Sequence, residues 1–175
     1  MDTLDNAESQ VVMIYFTEQQ ERFNWRISND GVMGGKSQGQ LLFKQDHVLF
    51  TGNISLANNG GFSSAFRTVE PLSPDIGAIT VDIAGDGHHY QFRVATNING
   101  QRLYYFHEVS TEAGQRHRLR FELADFQATF RGRKIPNAPA IKPEHISEVG
   151  FLLTAKQARP FSLSMFAVDF IKMPA

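Results

Sequence analysis

The chain has 175 residues, 42% hydrophobic and 20% charged, with a formal net charge of −1 and no cysteine. Such values suit one globular domain rather than a disordered chain, and they exclude a disulfide framework, a thiolate zinc site, a Cys nucleophile and a global field that would draw the chain to nucleic acid. No apolar run approaches the roughly 20 residues of a membrane helix, and the opening MDTLDNAESQ lacks the basic and apolar regions of a signal peptide, so no membrane insertion and a cytoplasmic location are expected.

Met1 to Glu21 carries five acids, Asp2, Asp5, Glu8, Glu18 and Glu21, and no Lys or Arg. A short helix is expected over Thr17 to Phe23, then a short strand from Trp25, the only Trp, to Ser28. The following stretch places Gly31, Gly34, Gly35 and Gly39 within nine residues. Glycines there either let backbone amides approach a partner or permit φ values other residues avoid, and periodicity does not separate the two. A strand is expected after Lys36. Beyond it Val48, Phe50, Ile54 and Leu56 alternate with Gly52 in phase, and after the turn ANNGG at 57–61 so do Phe62, Ser64 and Phe66.

The alternation continues through Ile79, Val81 and Ile83, then the turn GDG at 85–87, then Tyr90, Phe92 and Val94. NING at 97–100 separates these from Leu103, Tyr105, His107 and Val109; EAG at 112–114 precedes Leu119, Phe121 and Leu123. Arg116 to Lys134 collects six bases, Arg116, Arg118, Arg120, Arg131, Arg133 and Lys134, against Glu122 and Asp125: a basic patch or a solvated strand face. A second short helix is expected to open at Pro143. Near the end Phe161, Leu163 and Met165 alternate in one phase and Phe166, Val168 and Phe170 in the other, which predicts a β-bulge near Met165. Many antiparallel strands and one or two short helices imply an all-β fold, a β-sandwich or jelly roll. No linker, repeat or low-complexity run divides it, so one domain over 1–175 is expected, with the order of residues 1–10 left open.

The runs WRISNDGVMGGKS at 25–37 and FTGNISLANNGGFSS at 50–64 resemble the complex I intermediate-associated protein 30 family. The resemblance extends through GDGHHYQFR at 85–93, FHEVST at 106–111, Phe126 with FRGR at 130–133, and EVGFLL at 148–153, covering about Phe23 to Phe170. It implies a galactose-binding-like jelly-roll sandwich and a non-enzymatic role. Mitochondrial members are assembly factors acting on intermediates of the respiratory NADH:ubiquinone oxidoreductase. The chain departs from the pattern where relatives have a Trp before the F-x-x-F strand, since it reads GQRHRLRFELADF, and in its acidic start, which looks unlike a mitochondrial presequence. It therefore looks like a free-standing, bacterial-type member whose partner need not be the mitochondrial one.

The expected binding surface joins Trp25, Asn29, Asp30, Met33, Gly34, Gly35 and Ser37 with Asn58, Asn59, Gly60, Gly61 and Phe62, the two glycine-rich blocks meeting at one rim. Asp86, Tyr90, Arg131 and Arg133 complete it. Each has a plainer reading. Asp30 caps its own loop, the Asn-Gly pairs turn between strands, and the Arg131–Arg133 pair either reaches a partner's carboxylates or phosphates or pairs internally with Asp86 or Asp30. Arg67 and Arg93 are expected to face solvent or a groove on the sheet surface.

Asp86, His88 and His89 suggest a metal only weakly, because neighbouring strand residues point to opposite faces. No cofactor is expected; a structural calcium, frequent in galactose-binding-like sandwiches, stays open near Asp86. His107, Glu108 and Ser110 suggest a triad, but a strand sends His107 and Glu108 apart, and no nucleophile elbow or P-loop occurs. The leading expectation is a protein partner, with an intermediate of a respiratory or other redox complex as the candidate. The alternative is a carbohydrate- or small-ligand-binding module using Trp25, Tyr90, Tyr104 or Tyr105 as platforms. An enzyme using Asp86, His88 or His107 has no motif behind it.

Overall fold

A computed structural model describes residues 13–16, 18–29, 37–57, 61–130, 133–154 and 159–174. Among them there is no α-helix. Thirteen strands run in the order β1 Met13–Tyr15, β2 Trp25–Asn29, β3 Gln38–Phe43, β4 Val48–Ile54, β5 Phe62–Thr68, β6 Ile76–Ala84, β7 His89–Ile98, β8 Gln101–Ser110, β9 Arg116–Glu122, β10 Gln127–Phe130, β11 Arg133–Lys134, β12 Ile146–Thr154 and β13 Arg159–Lys172. Short 3-10 helices interrupt them at Gln19–Asn24, Leu123–Asp125 and Pro143–His145. The first lies near the expected early helix and the last opens at Pro143, whose fixed φ suits that position. The turn at Leu123–Asp125 was hidden because Leu123 continues the alternation of β9.

The strands form two antiparallel sheets. A six-stranded sheet has the order β3-β4-β13-β6-β9, with β1 pairing the later part of β13; a seven-stranded sheet has the order β11-β10-β8-β7-β12-β5-β2. The last strand of each set, β13 and β12, is inserted between strands made much earlier, the long-range pairing of a jelly roll rather than a chain of hairpins. No described helix is long and apolar enough to cross a membrane.

The expected alternation is what builds the core between the sheets. Val48 and Phe50 from β4, Ile79, Val81 and Ile83 from β6, Tyr90, Phe92 and Val94 from β7, and Val149, Phe151 and Leu153 from β12 are buried in one cluster. Phe92 joins the two sheets: its ring stacks on Phe121 of β9 at 5.9 Å and meets Phe151 edge-on at 5.1 Å. Leu56 breaks the expected phase. It is exposed because β4 ends at Ile54 and the chain turns away.

The bulge lies where the sequence puts it. Met165 pairs with Ile83 and Ala167 with Asp82, which leaves Phe166 as the extra residue. Its carbonyl accepts the Phe16 N–H at 3.2 Å, and its ring lies outside the core under the Arg116 guanidinium, 3.7 Å from the centroid. Val168 and Phe170 thereby return to the core side, as the change of phase requires.

Candidate binding face

The two glycine-rich blocks leave from one end of the sandwich, as their described flanks show. Asn29 is paired with Ser63, whose hydroxyl donates to the Asn29 side-chain oxygen. Ser37 is buried; its hydroxyl donates to the Ser55 carbonyl at 3.1 Å and accepts the Ser55 N–H at 2.9 Å. Gly61, at φ 139°, and Phe62 open β5 beside them. Asp30, Met33, Gly34, Gly35, Asn58, Asn59, Gly60 and Arg131 lie outside the described residues.

Several expected surface residues are interior. Trp25 is 8% exposed, its ring tilted against Phe16 with centroids 5.2 Å apart, and its indole N–H donates to Glu21 at 3.1 Å. Tyr90 is fully buried and its hydroxyl donates to Asp86 at 3.0 Å. Asp86 also accepts the backbone N–H groups of Ser162, 2.6 Å, and His88, 3.1 Å, and lies 2.8 Å from His88 Nδ1. Burial by itself would raise this carboxyl, but those donors outweigh it and hold it below its usual value. Asp86 thus ties the β6–β7 turn to β13, and its lone pairs are spent on protein donors rather than left for calcium. Among the described residues no group of three or more His, Asp and Glu side chains is placed to hold a metal.

Arg133 is not at this rim. It sits on β11, opposite Phe130, while Thr129 pairs with Tyr104 and Ser110 with His89 beside the Asp86 turn. Six residues of β8 separate the two ends, about 20 Å at the rise of a strand. Arg133 and Asp86 therefore form neither an ion pair nor one surface. The triad reading fails on direction too: the His107 ring stacks on Phe121 at 4.4 Å on the inner side, while Glu108 is exposed on the outer side.

The basic run of β9 is neutralised on the outer face of the six-stranded sheet. Arg116 makes two hydrogen bonds to Asp82, at 2.8 and 2.9 Å, Arg118 reaches Asp169 at 2.9 Å, and Arg120 reaches Glu122 at 2.8 Å. It is a solvated strand face.

The outer face of the seven-stranded sheet differs. The residues of β2, β5, β12, β7, β8 and β10 that alternate away from the core align in rows across it. One row reads Arg26, Phe66, Gly150, Arg93, Phe106, Gln127. A neighbouring row reads Thr68, Glu148, Ala95, Tyr104, Thr129, with Glu148 set outward by an irregularity after Ile146. Gly150 and Ala95 make a low floor. A Cβ on Gly150 would lie 2.3 Å from the Ala65 carbonyl oxygen and 2.5 Å from the Phe66 ring, so glycine is what lets Phe66 settle there. Tyr104 leans across to meet Phe66, with ring centroids 6.5 Å apart although three strand spacings separate them.

Charges surround that pair of rings. Glu148, nearly buried, lies 2.7 Å from Arg26 and 3.8 Å from Arg102, and Arg102 also donates to the Tyr104 hydroxyl at 3.4 Å. Arg93 Nε donates to Gln91 at 3.1 Å. Burial pushes the Arg93 guanidinium down from the usual arginine value, and Tyr104 offsets this in part.

Arg93 faces the sheet surface as expected from its place after Phe92. Arg67 does not: it turns to the inner side and lies 3.0 Å from Glu21, whose carboxyl is raised by burial despite that cation. The cluster of Arg26, Phe66, Arg93, Tyr104 and Glu148 was missed as a site. Its only sequence signal is phase, since Gln91 and Arg93 fall opposite Tyr90, Phe92 and Val94.

A family model described as complex I intermediate-associated protein 30 (CIA30) matches residues 14–165. No curated protein sequence matches the chain. Among solved structures, a family 11 carbohydrate-binding module of a cellulosomal cellulase from Clostridium thermocellum is similar with a TM-score of 0.68 at 12% identity, over 93% of this chain and 97% of that one. A family 11 carbohydrate-binding module from Clostridium thermocellum in complex with a β-1,3-1,4-mixed-linked tetrasaccharide also gives 0.68 at 12% identity, over 95% of this chain and 100% of that one. An agarase gives 0.57 at 13% identity, over 94% of this chain and 25% of that one. At these identities the likeness is one of fold: the galactose-binding-like β-sandwich.

Proposed function

Since the chain belongs to the complex I intermediate-associated protein 30 family, we propose that it is a non-catalytic binding module that recognises another protein, in the manner of an assembly factor for a respiratory or other redox complex. The carrying observation is the contrast between its two outer faces. On the six-stranded sheet each β9 arginine is matched to an acid, whereas the seven-stranded sheet gathers arginines and aromatic rings around a floor of Gly150 and Ala95, with Glu148 shared between two of the arginines. Arginine and aromatic residues are the types enriched where proteins bind proteins.

The test is affinity capture from native lysate with the tagged chain, an Arg26→Ala, Tyr104→Ala variant and an Arg118→Ala control, each verified as folded. The wild type and the control should enrich the same defined redox-complex subunits, and the double variant should lose them. Equal capture by all three would remove the face from the proposal, and no capture by any would remove protein recognition.

A sugar-binding reading is favoured by the fold shared with modules of which one was solved with a tetrasaccharide. Against it, Trp25, Tyr90 and Tyr105 are buried, so three of the four aromatic platforms it would use are spent on the core. Calorimetric titration with mixed-linked oligosaccharides decides between them: heat that disappears in Tyr104→Ala would revive the sugar reading.

A further inference from the structure

Among the described arginines only Arg67 and Arg93 are partly buried; the others are exposed. A charge withdrawn from water needs a counter-charge to offset the lost solvation. Arg67 has one in Glu21. Arg93 has none among the described residues, and its one hydrogen bond there goes to the neutral side chain of Gln91. The acids of the same face do not serve it, because Glu148 is engaged by Arg26 and Arg102, and Glu108 lies one row away, opposite Gln91.

The Gln91 bond holds Nε and so fixes the plane of the guanidinium, leaving Nη1 and Nη2 as a fork with no acceptor from the described chain. A two-donor fork matches the two oxygens of a carboxylate. On either side in the same row stand Phe66, beyond Gly150, and Phe106. With strands about 4.8 Å apart and an extended chain rising about 3.3 Å per residue, a peptide laid along the row brings apolar neighbours of an acidic residue towards those rings.

We propose that Arg93 is the anchor of a carboxylate-binding site, and that its ligand is a Glu or Asp side chain on an extended segment of the partner protein, lying across the outer face of the seven-stranded sheet. This rests on the protein-recognition reading and names the chemistry of what is recognised. The β9 arginines of the opposed sheet differ, since Arg116, Arg118 and Arg120 already hold acids of this chain.

The full chain is titrated with the capped heptapeptide Gly-Leu-Gly-Glu-Gly-Leu-Gly and with its Gln isostere, following the Arg93 Nε–Hε resonance and the β7 and β8 amides. The expected result is a shift of the Arg93 resonance and at least about tenfold tighter binding of the Glu peptide, the discrimination of one charged hydrogen-bonded pair. Arg93→Gln should abolish that preference, and Arg118→Gln should leave it. No difference between the two peptides up to about 1 mM overturns the proposal. Oligogalacturonate that shifts Arg93 while the Glu peptide does not would also overturn it, assigning the carboxylate to an acidic sugar. The wild-type comparison stands even if Arg93→Gln misfolds. Affinity capture separates the two readings: a partner held equally by wild type and Arg93→Gln sinks the carboxylate anchor and keeps protein recognition, whereas a Glu-selective shift without any captured partner does the reverse.

Discussion

Asp86 shows how one residue changes meaning between sequence and fold. Flanked by glycines and followed by two histidines, it suggests a ligand; in the structure its carboxylate is filled by Ser162, His88 and Tyr90. Replacing it with Asn should lower stability at pH 7 by about 2 kcal/mol, the scale of hydrogen bonds to a charged group. The sign with pH follows from its depressed folded-state value. Such a group contributes stability fully present above the unfolded carboxylate value of about 3.9 and lost as pH falls through the folded value. The gap between wild type and Asp86→Asn in urea unfolding should therefore narrow at pH 3. An equal gap at both pH values would mean the carboxylate charge has no part in the tie. Arg67 and Arg93 teach the same lesson: each follows a phenylalanine in its strand, yet one is paired inside and the other faces the outer sheet surface.

At the scale of elements, β13 depends on its bulge. Fourteen residues long, it pairs with β4 in its first half and with β6 across Ser164 to Lys172, and its two halves show opposite phases to the core. One extra residue reconciles them. Deleting Phe166 should then turn Val168 and Phe170 outward or Leu163 and Met165 outward, and the chain should fail to fold. Phe166→Ala keeps the residue count and gives up the Arg116 and His47 ring contacts on the surface, so it should fold with near-native far-UV circular dichroism. A well-folded deletion variant would show that the register is set elsewhere. The same logic of register assembles the binding face. Arg26, Phe66, Gly150, Arg93 and Phe106 come from five strands, and their row exists only once those strands are paired.

For the whole molecule, the sandwich is held by contacts between its sheets, with Phe92 at their centre among Phe121, Phe126 and Phe151. Phe92→Ala should lose about 3–5 kcal/mol, the transfer of a buried ring plus the cavity left behind. A single domain should unfold as one unit. Trp25, buried against Phe16 at one side of the sandwich, and the far-UV signal of both sheets should therefore give coincident urea transitions, both displaced equally by Phe92→Ala. A separate Trp25 transition would divide the chain into two cooperative parts.

The sequence by itself determined what is local and periodic. Alternation placed Val81, Phe92 and Leu163 in the core, the change of phase placed the bulge, Pro143 opened its turn, and the glycine-rich motifs carried the family. A period of two is a property of the strand itself and is readable without knowing the partner strand. Only the tertiary structure decided which strands are neighbours. That choice buried Trp25, separated Arg133 from Asp86, gave the β9 arginines their acids, and left Arg93 among aromatic rings with no acid from the described residues. Pairing across a jelly roll joins residues far apart in the chain, and no local pattern records it.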